Sequence, residues 1–264
     1  MIVRLLQKII DLGLGGFGLA VFAELALMGE IGFRIGRARR RAAATAEESG
    51  ISAITSAMLA LIAFSLALTM GFAQNRYDTR RQATLSEANA IGTARLRADL
   101  AGAPGKPIAE LIEEYARTRL SYVSAIGAND EAEALTRSDR LQAEIWQRTV
   151  PVLEGMSPAL ASALVSSLND MFDTSLAERY SVESRVPTQS MLVLLLGTTL
   201  AVTALGYQLG LAGRRQLVLF PILLVMLSGS MIAIIDFNRP RGGYTLIYPA
   251  PLIWTIQGFA PVRR

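Results

Sequence analysis

The chain contains no cysteine and no histidine. The first absence rules out disulfides, thiolate nucleophiles and cysteine-ligated metals. The second removes the side chain best matched to proton transfer near neutral pH, and with it histidine-dependent triads. Strand signals are missing too: there are no alternating β-branched runs and no Asn-Gly turns. A glycine loop cradling a phosphate after a strand is therefore not expected. These absences point away from an enzyme, and no cofactor or metal site is expected. The formal net charge is only +4, and the basic residues are clustered locally. Nucleic-acid binding, which wants a basic face interleaved with aromatics, is not expected either.

Apolar sequence is what the chain has in quantity. Of its 264 residues 52% are hydrophobic, and the mean hydropathy is +0.37. Three uncharged windows, 51–73, 190–212 and 216–235, reach or approach the roughly 20 residues needed to cross a bilayer. A fourth, 9–33, is interrupted by Asp11, Glu24 and Glu30. A spanning helix satisfies its own backbone hydrogen bonds, so the expected class is all-α. It is a polytopic membrane protein with about four transmembrane helices and a helical-bundle middle domain. The expected divisions are 1–74, two spans with a basic connecting loop; 75–186, a soluble helical bundle; 187–236, two further spans; and 237–264, a tail rich in proline and aromatics. The expected location is a bacterial cytoplasmic (inner) membrane, crossed several times.

Within the first window Gly16, Ala20 and Glu24 recur at every fourth position, which lets a second helix approach and shield the carboxyl group. Gly13, Gly15, Gly16 and Gly18 read as helix-packing positions. The run Arg34, Arg37, Arg39, Arg40 and Arg41 reads as a flank obeying the positive-inside rule, on the same side as Arg214 and Arg215. Arg76, Arg80 and Arg81 pull the other way, so the side of the middle domain stays open.

In the middle segment Pro107 and Ser157-Pro158 mark helix starts, and 102–105 and Pro151 mark ends or bends. Ile108, Leu111, Tyr115, Thr118, Tyr122 and Ala125 form a stripe at alternating three and four, facing a partner helix. Asp170, Asp173 and Glu178 lack the glycine-containing loop of a calcium site and read as surface or salt-bridged carboxylates. The tail is too rich in proline for a long helix. Its aromatics suit a membrane interface or a neighbouring subunit.

The stretch 65–99 organises the rest. It leaves the bilayer-compatible window and becomes charged, with no proline or Gly-Pro break at the crossing. Phe64, Leu68 and Phe72 lie four apart and form an apolar line, with Ser65 and Thr69 as a narrow polar edge beside it. Arg76 and Arg80 follow at the membrane boundary. Around a symmetry axis such helices give apolar rings followed by cationic ones, which gate by dewetting and favour anions. The alternative for the same residues is ordinary core packing, with the arginines snorkelling or paired to Asp78 and Glu87.

The stretch Gly71-Phe72-Ala-Gln-Asn-Arg76-Tyr77-Asp78-Thr-Arg80-Arg81, followed by 87–92, resembles the bacterial bestrophin-like membrane family, catalogued as a domain of unknown function. The resemblance extends to 168–173, to Gly206-Tyr207 with Gly213-Arg214-Arg215, and to Asp236-Phe-Asn-Arg239-Pro240-Arg-Gly242. More distantly the chain is similar to bestrophins, which are pentameric anion channels. That similarity implies Phe64, Leu68 and Phe72 as a pore neck and Arg76-Tyr77 as an Arg-aromatic exit. The interval between Phe72 and Arg76 is one helical turn shorter than in the bestrophin pattern. The resemblance implies a homo-oligomer, a pentamer by analogy, with the lipid bilayer and anions as partners. The other expectation is a non-conducting membrane anchor whose helical domain senses a ligand or serves as a scaffold.

Overall fold

The computed structural model describes residues 13–42, 48–184, 186–240 and 243–259. Among them the chain forms α-helices α1 (Gly13–Ala42), α2 (Glu48–Leu100), α3 (Lys106–Ser124), α4 (Ala128–Leu153), α5 (Pro158–Glu183), α6 (Thr188–Ala212), α7 (Leu219–Asn238) and α8 (Ala250–Gly258). A 3-10 turn, Ala103–Gly105, joins α2 to α3, and the described residues contain no strand. The first four residues of the window 9–33 lie outside the described residues, as does Gly242. Among the described residues four helices are long and apolar enough to cross a membrane: α1, α2, α7 and the stretch ending in α6.

The helix ends follow local chemistry. Pro107 sits in the first turn of α3, where its missing N–H costs nothing. The Ser157 hydroxyl accepts from the Leu160 N–H to cap α5. Gly213, at φ 69°, ends α6 in the left-handed conformation that glycine adopts without strain. Pro151 falls in the last turn of α4. The basic run expected as a flank is helical, because α1 continues through it to Ala42.

The chain divides into two compact units. The first comprises Met1–Arg76, Arg185–Arg239 and Gly243–Thr245. Its apolar core joins Phe17, Val21 and Leu25 of α1 to Ile62 and Leu66 of α2, Leu194 and Val202 of α6, and Leu224 and Met231 of α7. Here α1 and α6 run parallel at backbone contact. A Cβ on Gly32 would stand 2.1 Å from the Thr203 carbonyl oxygen, and one on Gly206 the same distance from that of Gly29. Gly36 and Gly210 meet the carbonyls of Tyr207 and Phe33 in the same way. Close approach of this kind gives helix association where burial from water cannot drive it. Of the glycines expected to pack, Gly18 does so against Ile232, while Gly13 and Gly15 have nothing within 4 Å. Below α7 the Asp236 carboxylate accepts from the Tyr244 N–H (2.6 Å), the Thr245 N–H (3.0 Å) and the Thr245 hydroxyl (2.6 Å).

The second unit comprises Tyr77–Ser184, Pro240–Gly242 and Leu246–Arg264. Its core is built from Ala88, Ile91 and Ala94 of α2, Ile108, Ile112 and Tyr115 of α3, Ile145 of α4, and Leu164, Leu168 and Met171 of α5. The stripe expected on α3 is buried at Ile108, Tyr115, Thr118, Tyr122 and Ala125, with Leu111 half-buried. Part of the tail packs into this unit, while its aromatics Tyr244, Tyr248 and Trp254 stay exposed. The helix α8 inserts a fully buried Leu252 into this core, and the Thr255 hydroxyl donates to the Ala88 carbonyl at 3.3 Å. Proline starts this helix without shortening it below two turns, and its apolar residues find a core to enter.

Candidate functional site

The two faces of α2 within the first unit differ sharply. Thr55, Ile62, Leu66 and Ala73 turn inward and are buried. Phe64, two residues past Ile62, stands about 200° round the helix and faces away. Phe64, Leu68 and Phe72 are 62%, 47% and 64% exposed. Only 17% of the most apolar window of α2 is buried, against 33% in each of the other three. The most apolar window of α2 is thus the least covered of the four.

Its polar edge is satisfied within the helix. Ser65 donates to the Leu61 carbonyl at 2.8 Å, and Thr69 to the Ser65 carbonyl at 2.7 Å. Each hydroxyl oxygen still has acceptor capacity for a passing donor. Gly71 has nothing within 4 Å of where a side chain would start. Gly71→Ala is therefore expected to stabilise the isolated chain by about 0.5–1 kcal/mol through lower unfolded-state entropy. A thermal melt in detergent checks this, and a loss would mean that another chain packs against Gly71.

The two arginines expected at the boundary have different surroundings. Arg76 is exposed, whereas Arg80 is 1% exposed. Arg80 opens the buried stripe Arg80, Thr84, Glu87, Ile91, Ala94 and Ala98, spaced alternately four and three along α2. Register, not charge, decides its fate. Arg81 takes the exposed position beside it, 5.8 Å over the Tyr77 ring and 3.9 Å from Asp78.

A charged cluster that periodicity did not expose lies inside the second unit. Arg119 grips Glu87 with two guanidinium nitrogens and donates through Nη2 to Glu178 at 3.1 Å. All three side chains are at most 3% exposed. The Arg119 guanidinium also lies 4.4 Å from the centre of the Tyr122 ring. Burial works against the Arg119 charge, but Glu87 above all, followed by Tyr115 and Glu178, more than offsets it, so its pKa is held above the ordinary range. Burial pushes the Glu87 carboxyl up, against the opposing pull of Arg119. One turn away the Gln142 amide donates to the Tyr115 hydroxyl (3.0 Å) and to Ser175 (2.9 Å). Spacing offers Glu87 to Arg76 or Arg80 and leaves Glu178 as a surface or salt-bridged carboxylate. The structure gives both to Arg119, a charged residue beside the α3 stripe between Tyr115 and Tyr122. Asp170 and Asp173 are exposed, apart from the buried Glu178, and no group of three potential metal ligands occurs among the described residues.

Glu24 meets its partner helix as the small-residue spacing suggested. Its Oε1 lies 2.8 Å from the Thr199 hydroxyl of α6.

Three comparisons with known proteins give no family: no family model matches the chain, and no curated protein or solved structure matches it.

Proposed function

We propose that the protein is a multi-pass protein of a bacterial cytoplasmic membrane that assembles as a homo-oligomeric, anion-permeable channel with α2 lining the pore. The observation that carries this reading is the uncovered line Phe64, Leu68 and Phe72, followed at the end of the window by the exposed Arg76. A ring of such faces supplies an apolar constriction, and Arg76 supplies positive potential where an anion leaves it. Ser65 and Thr69 line the edge of the same path. The resemblance to the bestrophin-like family and to bestrophin anion channels supports the same reading, as fold-level analogy. No catalytic role is assigned.

Reconstituted protein is expected to carry chloride. Phe64→Ala and Phe72→Ala each widen the constriction and raise the flux, by roughly tenfold if dewetting sets the barrier, since about 1.4 kcal/mol suffices. Chloride efflux from vesicles measures this. Absence of flux in the unchanged protein and in both variants overturns the channel.

The second reading is a non-conducting anchor whose helical unit senses a ligand or recruits a partner. The internally bonded hydroxyls of Ser65 and Thr69 and the buried position of Arg80 favour it. Single cysteines separate the two in this cysteine-free chain. Labelling of Thr69→Cys by a membrane-impermeant maleimide supports the pore, and protection in every state supports the anchor. Asn129→Cys, on an exposed position of α4, reports the side of the membrane on which the second unit lies.

A further inference from the structure

A cavity of about 210 Å³ opens between α1, α6 and α7 in the first unit. Ala26, Phe33, Leu209, Phe220 and Leu224 give it apolar walls, and the Phe220 ring lies directly against the backbone of Gly29. One end carries charge. Arg215 lies 4.6 Å from the centre of the Phe33 ring and 3.0 Å from Glu30, which also accepts from Arg34 at 2.8 Å. Glu30 holds one edge of the Arg215 guanidinium, yet half of that side chain, 51%, stays exposed. Arg40 donates to the Ala212 carbonyl at 3.0 Å, which ties the end of α1 to the loop that carries Arg214 and Arg215. Residues 30–42 and 213–218 together hold seven arginines and a single acid, Glu30.

We propose that this cavity seats an acyl chain of an anionic phospholipid, with the headgroup phosphate on Arg215 and the neighbouring arginines. The inference rests on the membrane reading above and adds a ligand class to it. Two properties meet at one opening. An apolar cavity gives a soluble phosphate nothing, so the chain-binding part selects a lipid. An excess of arginine at its mouth selects an anionic headgroup over a zwitterionic one. Arginine binds phosphate through paired, directional donors, and the aromatic contact with Phe33 and the bond to Glu30 hold the Arg215 guanidinium in place for it.

Alkaline extraction of membranes first establishes whether the full-length protein is integral; its release there would overturn the membrane reading itself. Native mass spectrometry of the detergent-solubilised chain with an equimolar mixture of phosphatidylglycerol and phosphatidylcholine then tests the site. Phosphatidylglycerol adducts are expected to predominate. Arg215→Gln lowers that preference roughly fivefold, the effect of one arginine near an anionic surface. Ala26→Phe fills the cavity and lowers binding of both lipids. Equal binding of the two lipids by the unchanged, membrane-integral protein overturns the inference, and so does a preference that survives Arg215→Gln. Retention of lipid by a folded Ala26→Phe protein, or displacement of phosphatidylglycerol by soluble glycerophosphate, equally overturns it by removing the acyl seat.

Discussion

Replacing Arg119 by leucine is expected to cost the protein about 3–5 kcal/mol of stability, the usual loss when one partner of a buried ion pair is removed. Leucine leaves two carboxylates, Glu87 and Glu178, in an interior where neither is more than 3% exposed. Most of the expected loss is the desolvation of those charges, not the value of the pairs themselves. The pH dependence follows from that. Without Arg119 the folded-state pKa of Glu87 is raised further above its unfolded value, so the variant's stability is greatest at low pH. It falls as pH rises through the folded pKa. Thermal melts of the full chain in detergent, followed by helical circular dichroism, should show a larger deficit at pH 8 than at pH 5. A deficit equal at both values would mean that Arg119 acts through packing on Tyr122, not through charge.

The second large effect is expected at the α1–α6 contact. In Gly206→Val the first carbon of the new side chain falls 2.1 Å from the Gly29 carbonyl oxygen. A backbone oxygen cannot rotate away as a side chain can, so the helices must separate along their whole shared line. Neighbouring contacts at Gly32, Gly36 and Gly210 are lost with it. Overpacking in a well-formed interior commonly costs 1–3 kcal/mol, and four coupled contacts put this substitution at or above about 3 kcal/mol. The chain should melt lower and elute partly aggregated on size exclusion. Gly229→Ala is the control, since nothing lies within 4 Å of that position on α7. A normal melt for Gly206→Val would remove the case for backbone contact between α1 and α6.

Much of the helical layout was legible because its signals are local. Windows of uncharged sequence, a proline at a first turn, a serine before it and a glycine at a helix end each act within a few residues. The long helix was readable from the missing break between 65 and 99. The glycine seam was not found at its true place. The densest glycine run is 13–18, whereas the contact uses Gly29, Gly32 and Gly36 against Gly206 and Gly210. Gly32 and Gly36 stand four apart, as do Gly206 and Gly210, so each helix marks its own close-packing face. Nothing local joins the two faces, which lie more than 160 residues apart along the chain. The cluster at Arg119 failed to appear for the same reason. Glu87 and Glu178 lie 32 and 59 residues from the arginine that joins them. Arg80 and Arg76 illustrate a finer limit. They share spacing and charge, but the buried stripe of the second unit begins at one and not the other. At the candidate site, then, the line of Phe64, Leu68 and Phe72 was legible from spacing, while the burial of the charge beyond it was decided by tertiary contacts.

The helix at 250–258 carries a consequence for synthesis. Leu252 completes a core whose other walls come from residues 88–171, and Thr255 bonds to Ala88 across 167 residues. A ribosome releases those walls first, then both apolar helices α6 and α7, and only afterwards the residue that closes the core. Until then that core has an uncovered flank, as in the incomplete interiors that attract chaperones during vectorial synthesis. The second unit is therefore finished last, although most of it is made before α6 and α7.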